Sequence, residues 1–472
     1  MVIGTLISGN KLFKSILASL FLISNLSITS CLLGSPPEKN PNIIFILTDD
    51  QRWDALGQAG NDIIETPQMD QLARDGVYFR NAFVTTPICA ASRASIATGL
   101  YERTHQFTFN TPPLSRKFVD LSYFYQLKKQ GYYTGFIGKF GMSFEDQMDT
   151  LLFDYYDPYM ARFYYRLVGE AWSEHKYLTY QTGDKAIEFI KNAPSDKPFC
   201  LSISFNAPHA EDQSPDQYIY PEDLKDLYGD ITIPDPPLGA EKYFNEQPEY
   251  VKEGLNKVRW YWRFDSPEKY QKMVKAYYRM ITAIDKVLGD IRQTLNENSL
   301  DENTIIIFTS DNGYFLGERG LAGKWLMYEN SIRVPLIIYD PRAENNSQEN
   351  DQLVLNIDIA PTIMDFANIQ IPEDIQGQSL IPVLKDPAFS IRDQFLCEHL
   401  YELKYIPKSE GIRTEKWKYF RYIDDPEHEE LYDLVNDPME VNNLVYDNNS
   451  SKELNALRKD CDAKIVKLIK AR

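Results

Sequence analysis

Asn42-Ile-Ile-Phe-Ile-Leu-Thr-Asp-Asp50 is a continuous apolar run that stops on two carboxylates. A strand with one wet face alternates apolar and polar side chains, so an unbroken run belongs to a strand covered on both faces, as in a parallel sheet. Thr304-Ile-Ile-Ile-Phe-Thr309 repeats the pattern and leads into Ser310-Asp311-Asn312-Gly313. Tyr133-Thr-Gly-Phe-Ile-Gly138 and Phe199-Cys-Leu-Ser-Ile-Ser-Phe205 read as two further strands. Helix signals lie between them: Thr66-Pro67 with Thr66 as cap, Leu121 to Lys129, and a long helix opened by Ser266-Pro267-Glu268, with Tyr270, Val274, Tyr277, Ile281, Ile284, Leu288, Ile291 and Leu295 at three- or four-residue spacing. This alternation predicts an α/β large domain, its mostly parallel sheet flanked by helices on both faces. Asp358-Ile-Ala-Pro361 starts another helix, and Gly377-Gln-Ser-Leu marks a boundary. The chain therefore divides into a large domain over 42–377 and a smaller C-terminal α+β subdomain over 378–472, in which Gly411 to Tyr422 alternates with the period of an antiparallel strand.

Two buried strands that both end in oxygen-bearing side chains place Asp49, Asp50, Asp311 and Asn312 at the carboxyl edge of the sheet, where open α/β folds bind ligands. Either pair alone also fits a helix cap or a turn. Together, three carboxylates and an amide make a hard-oxygen site suited to calcium or magnesium and poor for zinc.

Between the two pairs stands Cys89-Ala-Ala-Ser-Arg-Ala-Ser-Ile-Ala-Thr-Gly99. Ser92 to Thr98 reads as a short helix closed by Gly99, so Cys89 sits at or near a helix N-terminus, where backbone amides favour an anion. Arg93, one turn on, could pair with a tetrahedral oxyanion or hold the Cys89 side chain; a buried free cysteine beside a surface arginine is the plainer alternative. The pattern Cys89-x-Ala91-x-Arg93 followed by Thr98-Gly99 resembles the signature of the type I sulfatases, with Ala91 where the commonest form has proline. Further segments follow in that family's order: Lys139 after Gly138, Ala207-Pro208-His209, Ser310 to Gly313, and Gly323-Lys324. Glu329 to Pro335 and Glu430 to Pro438 are similar to sulfatase segments too, so the resemblance spans about Asn42 to about Leu444.

The resemblance implies an alkaline-phosphatase-like fold and a sulfuric ester hydrolase acting on a sulfated oligo- or polysaccharide. It implies that a maturase oxidises Cys89 to formylglycine, whose hydrated form is the nucleophile. Asp49, Asp50, Asp311, Asn312 and the converted residue 89 would hold Ca2+ or Mg2+. Arg93, Lys139 and Lys324 would grip the sulfuryl oxygens, and His209 would protonate the leaving oxygen. A phosphonate or phosphate ester hydrolase on the same scaffold, or a glycan-binding lipoprotein that has lost catalysis, are the alternatives. One departure bears on them: where the family has a histidine two residues after the first lysine, this chain has Gly141. His105, close behind the Cys89 helix, is the first candidate to replace it as base, a solvated loop histidine being the other reading; His175 and His399 come next, and His428 sits in an acidic, solvated turn.

Composition bounds the rest. The 472 residues carry 50 Lys and Arg against 68 Asp and Glu, and the formal charge of -18 excludes nucleic acid and anionic membrane surfaces as partners. A sulfated polyanion must then meet a local positive funnel, which a Debye length of about 8 to 10 Å permits. Lys11 and Lys14 precede an apolar stretch, Ser15 to Ser24, too short to span a bilayer. It leads to Leu26-Ser-Ile-Thr-Ser-Cys31, similar to a bacterial lipobox. Residues 1–30 are thus expected to be a lipoprotein signal peptide and 31–41 a tether, with a lipid anchor at Cys31 making this an exported, periplasmic or cell-surface protein; a soluble protein cut near Ser30 is the alternative. Cys200 lies in an apolar strand, and Cys397 and Cys461 are left as a pair that could bridge. Two aromatic-rich stretches, about 142–175 and 210–265, fall outside the strand and helix rhythm, as either a glycan cleft or surface packing.

Overall fold

The apolar run at 42–48 becomes the middle of the molecule because both its faces are covered. In the computed structural model, which describes residues 40–109, 111–145, 149–159, 176–343 and 348–472, it is strand β1, Asn42–Thr48, buried at every position. The other strands of its sheet are β2 (Val77–Phe79), β3 (Tyr133–Gly138), β4 (Tyr155–Pro158), β5 (Phe199–Ser204), β6 (Thr304–Ser310), β7 (Leu336–Tyr339) and β8 (Gln348–Asn350). Their order is β8-β2-β7-β6-β1-β5-β3-β4. β1 is parallel to both β5 and β6, and β7 is antiparallel to each of its neighbours. The pairing of Thr48 with Ser310 brings the ends of β1 and β6 level, so the Asp49-Asp50 and Asp311-Asn312 turns leave the sheet side by side.

Alternate residues of β1 enter different cores. Ile43, Phe45 and Leu47 join Ile305, Ile307 and the small residues Ala90, Ala94 and Ala97 of helix α2 (Cys89–Thr98). Ile44 and Ile46 join Ile306, Phe308 and the Tyr277, Ile281, Ile284 and Leu288 stripe of the long helix. Helix α1 (Pro67–Asp75) lies beside that helix, α3 (Tyr123–Lys129) follows α2, α4 (Leu178–Asn192) and α5 (Leu255–Arg263) precede the long helix α6 (Pro267–Glu297), and α7 (Ile359–Phe366) and α8 (Ser451–Lys470) come after it. α6 begins as its sequence dictates, with the Ser266 hydroxyl accepting the Lys269 N–H and Pro267 in the first turn.

Thr66, the expected cap of α1, does something else. Its hydroxyl accepts from the Gly57 N–H, and the cap is supplied from α6, where the Asp285 carboxylate accepts from Gln68 N and Met69 N at 3.0 and 2.7 Å. Gly411 to Tyr422 is likewise two strands rather than one. β10 (Ser409–Thr414) and β11 (Trp417–Tyr422) form a hairpin between β9 (Gln394–His399) and β12 (Asp425–Asp433), because Thr414 Oγ1 accepts from Lys416 N and Trp417 N and turns the chain. This antiparallel sheet is locked to the segment after Lys324 by a buried lysine: Lys418, without exposure, pairs with Glu329 at 2.7 Å and Glu440 at 2.6 Å.

Of the aromatic-rich stretches, Tyr155 and Tyr156 belong to the edge strand β4, while Phe163, Tyr164, Tyr165 and Trp172 lie outside the described residues, as do His175, Cys31 and the signal-like segment. Among the described residues no helix is long and apolar enough to cross a membrane. Cys89, Cys200, Cys397 and Cys461 are all free, buried thiols. Burial pushes the thiols of Cys200 and Cys397 up to about 12.

Candidate active site

α2 starts at Cys89 itself, capped by Ile88, and ends at Gly99, whose φ of 70° is the left-handed close that glycine allows. Every residue of α2 is buried. Cys89 therefore occupies the first helical position, where free backbone amides point at whatever sits beyond the sulfur. Arg93, one turn on, crosses to the metal-type turn: Nε donates to Asp311 Oδ2 at 2.8 Å, and Nη1 donates to the Lys139 carbonyl at 2.7 Å and to Ser204 Oγ. The strand ends bring in the remaining groups. Lys139, after β3, pairs with Asp49, and Lys324 pairs with Asp50 and lies 3.6 Å from Asp49. Asn312 Nδ2 donates to Asp50 Oδ1 at 2.6 Å, and His209 Nε2 lies 3.7 Å from Asp50 Oδ2.

The structure thus joins Asp49, Asp50, Arg93, Lys139, His209, Asp311, Asn312 and Lys324 in one buried network. Cys89 belongs to it, since it lies within electrostatic reach of Arg93, Lys139 and Lys324. Lys139 is the most accessible of the three cations, with 22% of its side chain exposed. Burial alone would raise the Asp49 carboxyl, but Lys139, His209, Lys324 and Arg93 hold it well below the usual range. Asp311 moves the other way: burial and the Asp49 charge push it up to about 6.

Two oxygens in this network, Asp49 Oδ1 and Asn312 Oδ1, are buried without a hydrogen-bond donor. Orphaned acceptors are costly. Beside the carboxylates of Asp50 and Asp311 they form the oxygen-rich donor set that a hard divalent cation takes. Asp49, Asp50 and His209 also offer atoms within 4.8 Å of one another, so His209 stands at the edge of this donor set.

His209 Nδ1 faces the Ala210 carbonyl at 2.7 Å, which accepts only, so Nδ1 carries a proton and Nε2 is the working atom. Burial, with help from Lys139 and Lys324, pushes the ring down to about 4 against the pull of Asp49 and Asp50. His105 is not brought to this network. It is buried, with Nε2 3.0 Å from Ser95 Oγ and Nδ1 accepting the Phe107 N–H at 3.1 Å, so both ring nitrogens are used. Burial alone lowers it to about 3, and no charge of the network acts on it. His399 is fully buried in β9, and His428 is half-buried, packing edge-on against Tyr422 and Tyr250. His209 is the histidine among the described residues that reaches the cluster.

Ser204 went unread in the sequence. Its place at the last residue of β5, level with Gly138 of β3, is the signal that marks it.

Residues 41–369 match the family model described as sulfatase, and 317–469 match that of the N-sulphoglucosamine sulphohydrolase C-terminal region. An N-acetylglucosamine-6-O-sulfatase of Bacteroides thetaiotaomicron is 30% identical, covering 92% of this chain and 88% of its own. A solved structure described as in complex with its substrate, D-glucosamine-2-N,6-O-disulfate, superposes with a TM-score of 0.77 at 27% identity, covering 92% of this chain and 98% of that one. A phosphonate monoester hydrolase of Agrobacterium radiobacter shares the fold, with a TM-score of 0.73 at 24% identity over 91% of this chain and 95% of that one.

Proposed function

The chain belongs to the sulfatase family and is a sulfuric ester hydrolase; from that premise we propose that it desulfates a sulfated carbohydrate of the glucosamine type, with Cys89 converted to formylglycine and a hard divalent cation at Asp49, Asp50, Asp311 and Asn312. The observation that carries the reading is the convergence of Arg93, Lys139 and Lys324 on Asp49 beside a helix that begins with Cys89. Three cations around one small pocket suit a sulfuryl group, whose three outer oxygens take up charge as sulfur is transferred. The cation would add Lewis acidity and favour the ionised hydroxyl of the hydrated aldehyde.

The residues of this chain divide the work. Arg93 is fixed by Asp311 and Ser204, its Nη2 lying 2.7 Å from Asp311 Oδ2 and 3.7 Å from Asp49 Oδ2, so it would meet a sulfuryl oxygen with the charge of a guanidinium already held in place. Lys139 and Lys324 hold further oxygens. The His209 ring, pushed down to about 4 in the free site, is neutral there; the negative charge of a bound sulfuryl group draws a proton onto Nε2, which is then delivered to the departing sugar oxygen. Left neutral, the same Nε2 then takes a proton from the remaining hydroxyl at residue 89 as sulfate is expelled and the aldehyde returns. One histidine thus serves both steps, and none is needed at Gly141.

Support for the sugar comes from the two sulfatase comparisons, whose names or titles specify N-acetylglucosamine-6-O-sulfate chemistry and a glucosamine disulfate substrate. The same reading takes Cys31 as an acylated anchor and a maturase as the partner that converts Cys89, which makes the enzyme an exported one. The test is a comparison of kcat/KM on N-acetylglucosamine 6-sulfate, 4-nitrophenyl sulfate and a 4-nitrophenyl phosphonate monoester. Sulfate preferred over phosphonate, with turnover of the sulfated sugar, supports the proposal; a preference for the phosphonate defeats it.

A further inference from the structure

Three residues past His209, Asp212 keeps 31% of its side chain exposed while two arginines of α5 grip it. Arg259 Nη2 donates to Oδ2 at 2.6 Å, and Arg263 pairs with Oδ1. Arg263 is completely buried and also donates to Tyr314 Oη at 2.7 Å, two residues beyond Asn312. Arg259 lies over the ring of Trp325 at 4.6 Å, the residue after Lys324, and its Nε is buried without an acceptor. From the same helix, Asn256 Nδ2 donates to the carbonyls of Ala322 and Lys324 at 3.2 and 3.0 Å. One side of α5 therefore braces the three segments that carry His209, Asn312 and Lys324.

Trp325 sits in this brace at a φ of 82°. A bulky aromatic residue adopts that left-handed conformation only where the surroundings enforce it, and such strain gathers at ligand clamps. Its N–H donates to the Pro87 carbonyl at 3.1 Å, two residues before Cys89, so the strained turn ties the Lys324 loop to the nucleophile's loop. Asp212 is the exposed member of the trio it forms with Arg259 and Arg263. Burial would raise its carboxyl, but Arg259, Arg263 and His209 hold it below the usual range, so it stays an anion within the field of His209. A carboxylate has about four acceptor positions, and the arginines use two from the protein side.

We propose that Asp212 is a specificity residue for the leaving group, accepting a hydrogen bond from a ring hydroxyl of the sugar whose sulfated oxygen His209 protonates. The inference rests on the carbohydrate reading above. An aryl sulfate offers Asp212 no such donor, so the two substrate classes separate this role from general support of the pocket.

The test compares N-acetylglucosamine 6-sulfate, its 3-deoxy and 4-deoxy analogues, and 4-nitrophenyl sulfate. Loss of a hydrogen bond to a charged acceptor corresponds to about tenfold to a hundredfold in kcat/KM. With wild type, one of the two deoxy analogues should fall by that factor. With Asp212→Asn, the ratio of sugar to aryl kcat/KM should fall by a similar factor, and sensitivity to that hydroxyl should disappear. The wild-type deoxy series stands even if the variant folds poorly: equal rates on the parent sugar and both analogues overturn the proposal. So does an Asp212→Asn enzyme that loses sugar and aryl activity in equal proportion. A wild type that hydrolyses 4-nitrophenyl sulfate but no sulfated saccharide overturns the carbohydrate reading first, and this inference with it.

Discussion

Arg93 lies across Gly141: a Cβ built at residue 141 would meet Arg93 Cδ at 2.8 Å, and the backbone there holds φ at 70°. The position where the family resemblance implies a histidine is filled by the arginine that holds Asp311. Gly141 is therefore part of how Arg93 is placed, and its lack of a side chain does not mark a lost activity.

Gly141→Ala and Gly141→His should both push Arg93 out of register and strain the turn. A misplacement on the order of 1 Å at a reacting centre costs about a hundredfold, so kcat/KM should fall about tenfold to a hundredfold in steady-state assays, with circular dichroism unchanged. A Gly141→His enzyme faster than wild type would show that the histidine is missing in the functional sense.

His105 makes a prediction about stability instead of catalysis. Its folded pKa of about 3 lies below the ordinary value of about 6.5, so between those values the unfolded chain binds a proton that the folded chain refuses. Its contribution is intact above pH 6.5 and is lost as pH falls towards 3, at about 1.4 kcal/mol per pH unit. His105→Asn, which keeps an acceptor for the Phe107 N–H, should flatten the slope of unfolding free energy between pH 6 and 4 by that amount in urea titrations. An unchanged slope would mean that the ring is protonated in the native state.

Cation binding predicts a gain in stability that can be read without turnover. At a hundred times the dissociation constant, calcium should add about 2.7 kcal/mol to the unfolding free energy of wild type, and a chelator should remove it. Asp311→Ala and Asn312→Ala should each shrink this shift. A melting temperature of wild type indifferent to calcium, magnesium and chelator alike would contradict the site.

Asp285 caps α1 from another helix, far from any reacting group in sequence. Asp285→Ala should cost about 1 to 2 kcal/mol in denaturant unfolding and leave kcat unchanged, as expected for a lost cap. A stability unaltered by the substitution would show that α1 needs no cap from α6.

The parts of this molecule legible in its sequence are those whose cause is local. The ends of β1 and β3 fall where the apolar runs stop, Ser266-Pro267 starts α6, and the acidic and amide pairs follow strands that end level in a parallel sheet. What went unread depends on partners far along the chain. Nothing near Thr66 says that Asp285, more than two hundred residues away, will cap its helix. Nothing near His105 says that Ser95 and the Phe107 amide will occupy both its nitrogens and keep it from the pocket. Asp212 sits in a stretch without helix or strand period, and its meaning comes only from Arg259 and Arg263 on α5. The turn that divides 411–422 carries no glycine, proline or asparagine to mark it, and is made by Thr414 accepting from Lys416 N and Trp417 N.

On the proposed function, residue 89 works as an aldehyde at the start of α2. Peptide mass analysis of purified active enzyme, with the modified fraction compared against specific activity across preparations from hosts with and without a formylglycine-generating maturase, tests it most directly. Activity should rise in proportion to the fraction of residue 89 carrying the aldehyde, and Cys89→Ala should abolish turnover with the fold retained. Full activity from a preparation in which every molecule keeps the Cys89 thiol would contradict it.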